Sequence, residues 1–373
     1  MTHVAHVITG LGSGGAEGFL ARLVPALASH NVTSTVFSLT DDGVHGEELR
    51  SQGTEVYPFG LRVDRPDPRI PVRLVRHLRD IRADVVMTWL YDADIVGGIA
   101  ARLAGIPVLW NIRQSAMGPD APIRHHLLLR SEFVLSRILP RRIICVSQSA
   151  KDDHVAVGFP AQRMIVIHNG VDVERFRPDA VARAAVRQEL GIPTDATVIG
   201  HVARFDSQKD HATMLRAVAE VIRRRPRTNL LMCGDGIETS NRQLRTLIDL
   251  VGIDESALHL LGVRPDVERL MAAVDVAVSS SVHEGWSNAI AEAMACGVPC
   301  VATTTGDATE LIRGSGMVVP TRDPRALAEA ILSLASRTSV PDAAARRRIV
   351  DHFDMASAAA TYATVIRDTS VSG

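Results

Sequence analysis

Short runs of apolar, β-branched residues alternate along this chain with segments whose apolar positions recur every three or four residues. In the first half the runs fall at residues 4–9, 33–39, 55–59, 84–88, 107–112, 142–147 and 164–168, and their length and composition predict strands. Residues 17–29 and 72–82 predict helices instead. In the second of these, Leu74, Val75, Leu78 and Ile81 repeat at helical spacing. Strand and helix in alternation are the βαβ rhythm of a parallel sheet. The rhythm pauses over 169–195, where Pro178, Pro193 and many charges predict a linker, and restarts at 197–202. A second series of strands follows at 229–233, 258–261, 274–279, 298–302 and 317–319. The pattern therefore predicts an α/β protein of two Rossmann-like, doubly wound parallel-sheet domains, residues 1–175 and 176–352. A helical stretch at 353–370 is left over after the second sheet is complete.

Composition agrees with this division. A chain of 373 residues is too long for one core at roughly 100 to 200 residues per domain. With 46% apolar and 22% charged residues it is neither fibrous nor disordered. The 41 basic and 42 acidic side chains nearly cancel, which excludes the strong positive field of a dedicated nucleic-acid binder. Cys145, Cys233, Cys296 and Cys300 lack the spacing of a zinc knuckle and read as small buried residues. A strand pattern already begins at His3, and no apolar run approaches the ~20 residues that span a bilayer, so a cytoplasmic protein is expected.

Three segments carry chemistry. Gly10-Leu-Gly-Ser-Gly-Gly-Ala-Glu17 follows the first strand and opens a helix. Its glycines match GxGxxG, which admits a tight turn, an approach to an anion or substrate, or a dinucleotide site with Asp41 and Asp42 beyond the second strand. Arg204-Phe-Asp-Ser-Gln-Lys209 follows the first strand of the second domain. Lysine occurs only at Lys151 and Lys209 among the 41 basic residues, so a compact point charge beside the Arg204 fork suits a diphosphate. The third segment, 279–302, reads as strand, loop, helix from Asn288 to Ala295, stop at Gly297, and strand. It places Glu284 before the helix, Glu292 inside it, and the N–H groups of Ser287, Asn288 and Ala289 at its start, an anion site between two carboxylates. Taken alone, Glu284 also reads as a loop charge and Glu292 as an exposed helix residue.

Together these residues resemble the family four retaining glycosyltransferases of GT-B architecture. The resemblance runs through the Gly14-Gly15 loop, Ile167-His-Asn-Gly-Val-Asp172, Arg204 with Lys209, Gly234-Asp-Gly236, and Glu284-x7-Glu292 followed by Ala-Met-Ala-Cys-Gly-Val-Pro. It implies two domains facing a cleft, with the C-terminal helix, 353–370, packed back on the first. It also implies transfer of a sugar from a nucleotide diphosphate donor, a UDP-sugar before a GDP-sugar, with retention at the anomeric carbon and with neither metal nor cofactor. In that reading Arg204 and Lys209 hold the diphosphate, Glu292 the ribose and Glu284 the donor hexose. Ser287, Asn288 and Ala289 face the donor, Gly234 is a further substrate-binding residue, Val263 and Arg264 border the base, and Gly14 and Gly15 approach a phosphate or the acceptor. Arg113 stands where the family often has histidine and is carried over as a catalytic residue. The acceptor is a carbohydrate, a lipid-linked molecule or a small molecule.

Other readings compete. Asp92-Ala-Asp94 looks like a metal-binding DxD, against the double-sheet layout. Arg124, Arg130, Arg137, Arg141 and Arg142 accompany apolar residues 127–129 and 133–135, either an ordinary packed helix or a peripheral contact with the inner face of a membrane. A nucleotide-sugar epimerase, a non-catalytic nucleotide-sugar-binding protein and an NAD-dependent oxidoreductase remain as alternative functions.

Overall fold

A computed structural model describes residues 1–62, 67, 69–115, 123–337 and 341–371; the side chains of 123–127, Arg124 included, lie outside the described set. The chain divides into one unit formed by Met1–Gly170 with Met355–Gly373, and a second formed by Val171–Asp354.

The first unit is built on seven parallel strands, β1 (Thr2–Ile8), β2 (Val32–Ser38), β3 (Glu55–Pro58), β4 (Val85–Trp89), β5 (Val108–Ile112), β6 (Pro140–Cys145) and β7 (Met164–Val166). They lie in the order β3-β2-β1-β4-β5-β6-β7. Every residue of β4 and of β5 is buried, as a sheet covered by helices on both faces requires. One face packs the helices Gly15–Ala28 and Met355–Val371 around Trp89, Phe19 and Tyr362. The other packs Leu74, Leu78 and Trp110. Gly170 allows the returning chain to pass, since a Cβ there would lie 2.5 Å from the Met355 Cα.

The second unit holds six parallel strands, β8 (Thr197–Val202), β9 (Thr228–Cys233), β10 (Leu258–Leu260), β11 (Val276–Ser279), β12 (Cys300–Thr303) and β13 (Gly316–Val319), in the order β10-β9-β8-β11-β12-β13. Two parallel-sheet α/β domains are thus present. The stretch 169–195, however, is not a linker. It contains the helix Ala180–Glu189, capped by the Asp179 carboxylate accepting from the Ala182 N–H at 2.8 Å. Prolines and charges hid it because its buried face is partly ionic: Arg187 is 4% exposed and donates to Asp275 at 2.7 Å, and Arg183 donates to the same carboxylate. Asp275 also accepts from the Val198 N–H at the start of β8.

The four cysteines are buried and unbridged. Among the described residues no helix is long and apolar enough to cross a membrane.

Candidate active site

In each sheet the strand order reverses once, between β8 and β11 in the second unit and between β1 and β4 in the first. Loops leaving the carboxyl ends of two such strands diverge to opposite faces and leave a crevice, the general position for ligands in open α/β sheets.

In the second unit, the loop after β8 carries Arg204 and Lys209, and the loop after β11 carries Glu284. The Lys209 ammonium donates to Glu284 Oε1 at 2.7 Å, and both side chains are largely buried, 19% and 13% exposed. The two loops are also fastened through their backbones. Ser280 Oγ donates to the Lys209 carbonyl at 2.7 Å and the Val282 N–H to the Gln208 carbonyl at 2.8 Å. Asp210 then caps the next helix, His211–Arg224, from a left-handed conformation, φ +43°. Lysine and carboxylate are therefore held rather than merely neighbouring. Arg204 is more exposed and reaches Asp206 at 3.4 Å, while its carbonyl faces His211 Nε2 at 3.0 Å. Burial holds His201 and His211 below the ordinary imidazole range, His201 at about 3, so both are neutral beside the lysine.

Gly234, after β9, has φ +146°, and a Cβ there would meet the Ala203 carbonyl at 2.2 Å; only glycine lets this loop lie against the one bearing Arg204. The Phe205 N–H donates to the Asp235 carbonyl at 2.7 Å across the same seam. Ser287 caps the helix Asn288–Ala295 without a side-chain hydrogen bond, Asn288 and Ala289 form its first turn, and Glu292 lies one turn in, half-buried. Val263 is 62% exposed after β10. Arg264 is committed to protein partners, donating to both Asp266 oxygens at 2.8 and 2.9 Å and to Glu189 at 2.8 Å, and these carboxylates raise its pKa.

In the first unit Gly14 and Gly15 begin the helix after β1, and the Glu17 carboxylate folds back over Gly14. The turn after β4 is strained at Leu90, φ 72° and ψ 155°, a conformation that side chains avoid. Arg113 follows β5, its guanidinium carbon 4.5 Å from the Phe19 ring centroid and 5.5 Å from that of Trp89. Desolvation lowers its pKa. Asp94 is wholly buried and accepts the Thr88 hydroxyl; burial raises its pKa to about 8. Glu132, also wholly buried, is pushed up to about 11 by desolvation and by Asp94. Sequence reasoning missed Glu132, which looks like any helical glutamate between Ser131 and Phe133.

A family model described as "Glycosyltransferase Family 4" matches residues 13–175, and one described as "Glycosyl transferases group 1" matches 196–337. Both units thus carry a glycosyltransferase domain. The chain is a glycosyltransferase. Among curated relatives, EpsF of Bacillus subtilis, whose name places it with the glycosyltransferases, is 28% identical over 309 residues, 80% of this chain and 78% of EpsF. A D-inositol 3-phosphate glycosyltransferase of Saccharomonospora viridis is 35% identical over 275 residues, 69% of this enzyme and 63% of that one. The fold is shared with Anabaena HepE solved in complex with UDP and glucose, at TM-score 0.87 and 22% identity, covering 99% of the enzyme and 100% of HepE.

Proposed function

We propose that this glycosyltransferase moves a sugar from a nucleotide diphosphate donor, a UDP-sugar first, to an acceptor hydroxyl, with retention and without a metal. The observation that carries the reading is the Lys209–Glu284 pair, one partner from each side of the β8/β11 crevice, half sunk and stitched in place by Ser280 and Val282. A fixed cation at that position stabilises a departing diphosphate without reorganisation during the reaction, the task a metal performs in other designs. Arg204 lies on the same loop and adds a forked donor.

The diphosphate takes Lys209 from Glu284, and the freed carboxylate faces the donor hexose. The bond between the anomeric carbon and the diphosphate oxygen breaks and the acceptor oxygen bonds to that carbon on the same face. The acceptor proton passes to the departing phosphate, which balances the charge. Glu292, one turn into the helix Asn288–Ala295, accepts the ribose hydroxyls, and the amides of Ser287, Asn288 and Ala289 meet the donor at the helix start. Val263 borders the base together with the backbone of Arg264, whose side chain is already engaged by Asp266 and Glu189. That HepE was solved with UDP and that relatives are named for transfer to D-inositol 3-phosphate support a UDP donor and a hydroxylated acceptor.

Thermal-shift titration with UDP, GDP, ADP and dTDP sugars tests this. A donor at 100 times its dissociation constant raises stability by about 2.7 kcal/mol, and the reading fails if no nucleotide diphosphate shifts the wild-type chain. Turnover in EDTA equal to that in manganese supports the metal-free step. Activity abolished by EDTA and restored by manganese contradicts it.

A further inference from the structure

Above the carboxyl end of β5 the first unit holds a half-buried charge, Arg113, without a counterion among the described residues. Arg113 Nη1 donates to Asn111 Oδ1 at 3.1 Å and to the Tyr362 hydroxyl at 2.9 Å. Its Nε and Nη2 are buried and have no hydrogen-bond partner. Among the described residues no carboxylate lies within ion-pair distance of it, and its electrostatic neighbours are Tyr362, Cys145 and a second cation, Arg22. His6, which accepts the Trp89 indole N–H at 3.2 Å, is held neutral by burial, at about 3.

Sinking one edge of a guanidinium without a counterion costs desolvation energy, and contacts with the Phe19 and Trp89 rings recover only part of that cost. A methionine of similar length would pack against the same rings without the desolvation penalty, so stability does not account for arginine here. The geometry names what does. Nε–H and Nη2–H are two parallel donors on one edge of the guanidinium, the edge that matches a carboxylate or phosphate bidentately, while the protein uses only Nη1.

We propose that the Nε/Nη2 edge of Arg113 seats an anionic group, a carboxylate or a phosphate, on the substrate that enters the first unit. The group belongs to the acceptor. The inference rests on the reading above that the donor nucleotide is held by the second unit, and it assigns the anion preference to a residue of the first.

The test uses the full chain with saturating UDP, titrated calorimetrically with glucose, glucose 6-phosphate and glucuronate. Wild type is expected to favour an anionic ligand over its neutral counterpart by about tenfold or more. Arg113→Met loses that preference and melts no lower than wild type, and Arg113→Lys, with charge but no fork, keeps only part of it. Equal binding of charged and neutral ligands by wild type, or a preference surviving in Arg113→Met, overturns the proposal. So does a lower melting temperature in Arg113→Met, which would make the arginine part of the scaffold. UDP binding is expected unchanged in both variants; a wild-type chain that binds no UDP would instead remove the donor reading.

Discussion

The two units share one architecture and treat charge in opposite ways. In the second, buried or half-buried ions are paired: Lys209 with Glu284, Arg187 and Arg183 with Asp275, Arg264 with Asp266 and Glu189. In the first, among the described residues, Arg113 is half-buried without an acid, and Asp94 and Glu132 are buried without a base. Both sheets reverse their strand order and open a crevice at the same topological point, so the layout alone does not distinguish them. What differs is the loops. The second unit fixes its charges in ion pairs, whereas the first, among the described residues, carries neutral carboxyls and an unpaired cation among aromatic rings.

The contrast is broken most severely at Asp275. Removing this carboxylate strands Arg187, and Asp275→Ala is expected to lose about 3 kcal/mol or more in urea unfolding. Lys209→Ala comes next and lowers turnover by about 100-fold or more, the usual consequence of removing one preorganised donor from a reacting anion. A smaller, divided effect is expected at the two carboxylates. Glu284→Gln lowers turnover, while Glu292→Gln chiefly raises the Michaelis constant, each by about tenfold. Steady-state kinetics in which both changes fall on the Michaelis constant alone would remove Glu284 from the chemistry.

The smallest effect is a pH dependence carried by the first unit. Asp94 and Glu132 keep protons in the fold up to about pH 8 and 11, which the unfolded chain releases near 3.8 and 4.5. At these two sites the folded chain then holds more protons than the unfolded one, so their contribution to stability falls as pH rises from about 4 through 8 for Asp94 and through 11 for Glu132. His6, His154 and His201 act on the other limb. They stay neutral in the fold down to about 3, 4 and 3 while the unfolded chain protonates them near 6.5, so stability also falls as pH drops below 6.5. A melting temperature highest near neutrality is expected. Glu132→Gln should flatten the alkaline limb and raise the melting temperature at pH 8 by about 2–4 °C, the shift that about 1 kcal/mol gives in a unit of this size.

Much of this was legible in the sequence because it follows from periodicity and from punctuation. The strands, the reversal to helical spacing and the helix Asn288–Ala295 with its Gly297 stop were all visible as patterns. So was the second glycosyltransferase segment, since Glu284 and Glu292 keep a fixed spacing on a loop and the helix it enters. The helix Ala180–Glu189 was hidden because its buried face includes arginines, which a hydrophobic pattern scores as surface. Glu132 and the open edge of Arg113 were hidden for a different reason. Nothing in a sequence says whether a charged residue meets its partner, and both are defined by the partners they lack among the described residues. The Lys209–Glu284 bond joins residues 75 apart and became visible only when β8 and β11 were seen to be neighbours.

The central claim is that the donor nucleotide sits on the paired charges of the second unit and not on the bare cation of the first. Calorimetric titration of UDP into the wild-type, Lys209→Ala and Arg113→Met chains tests it in one experiment. The expected result is affinity weakened by about tenfold or more in Lys209→Ala, the loss of roughly one charge-assisted contact, with Arg113→Met indistinguishable from wild type. Equal affinity in wild type and Lys209→Ala, or a loss confined to Arg113→Met, would contradict it.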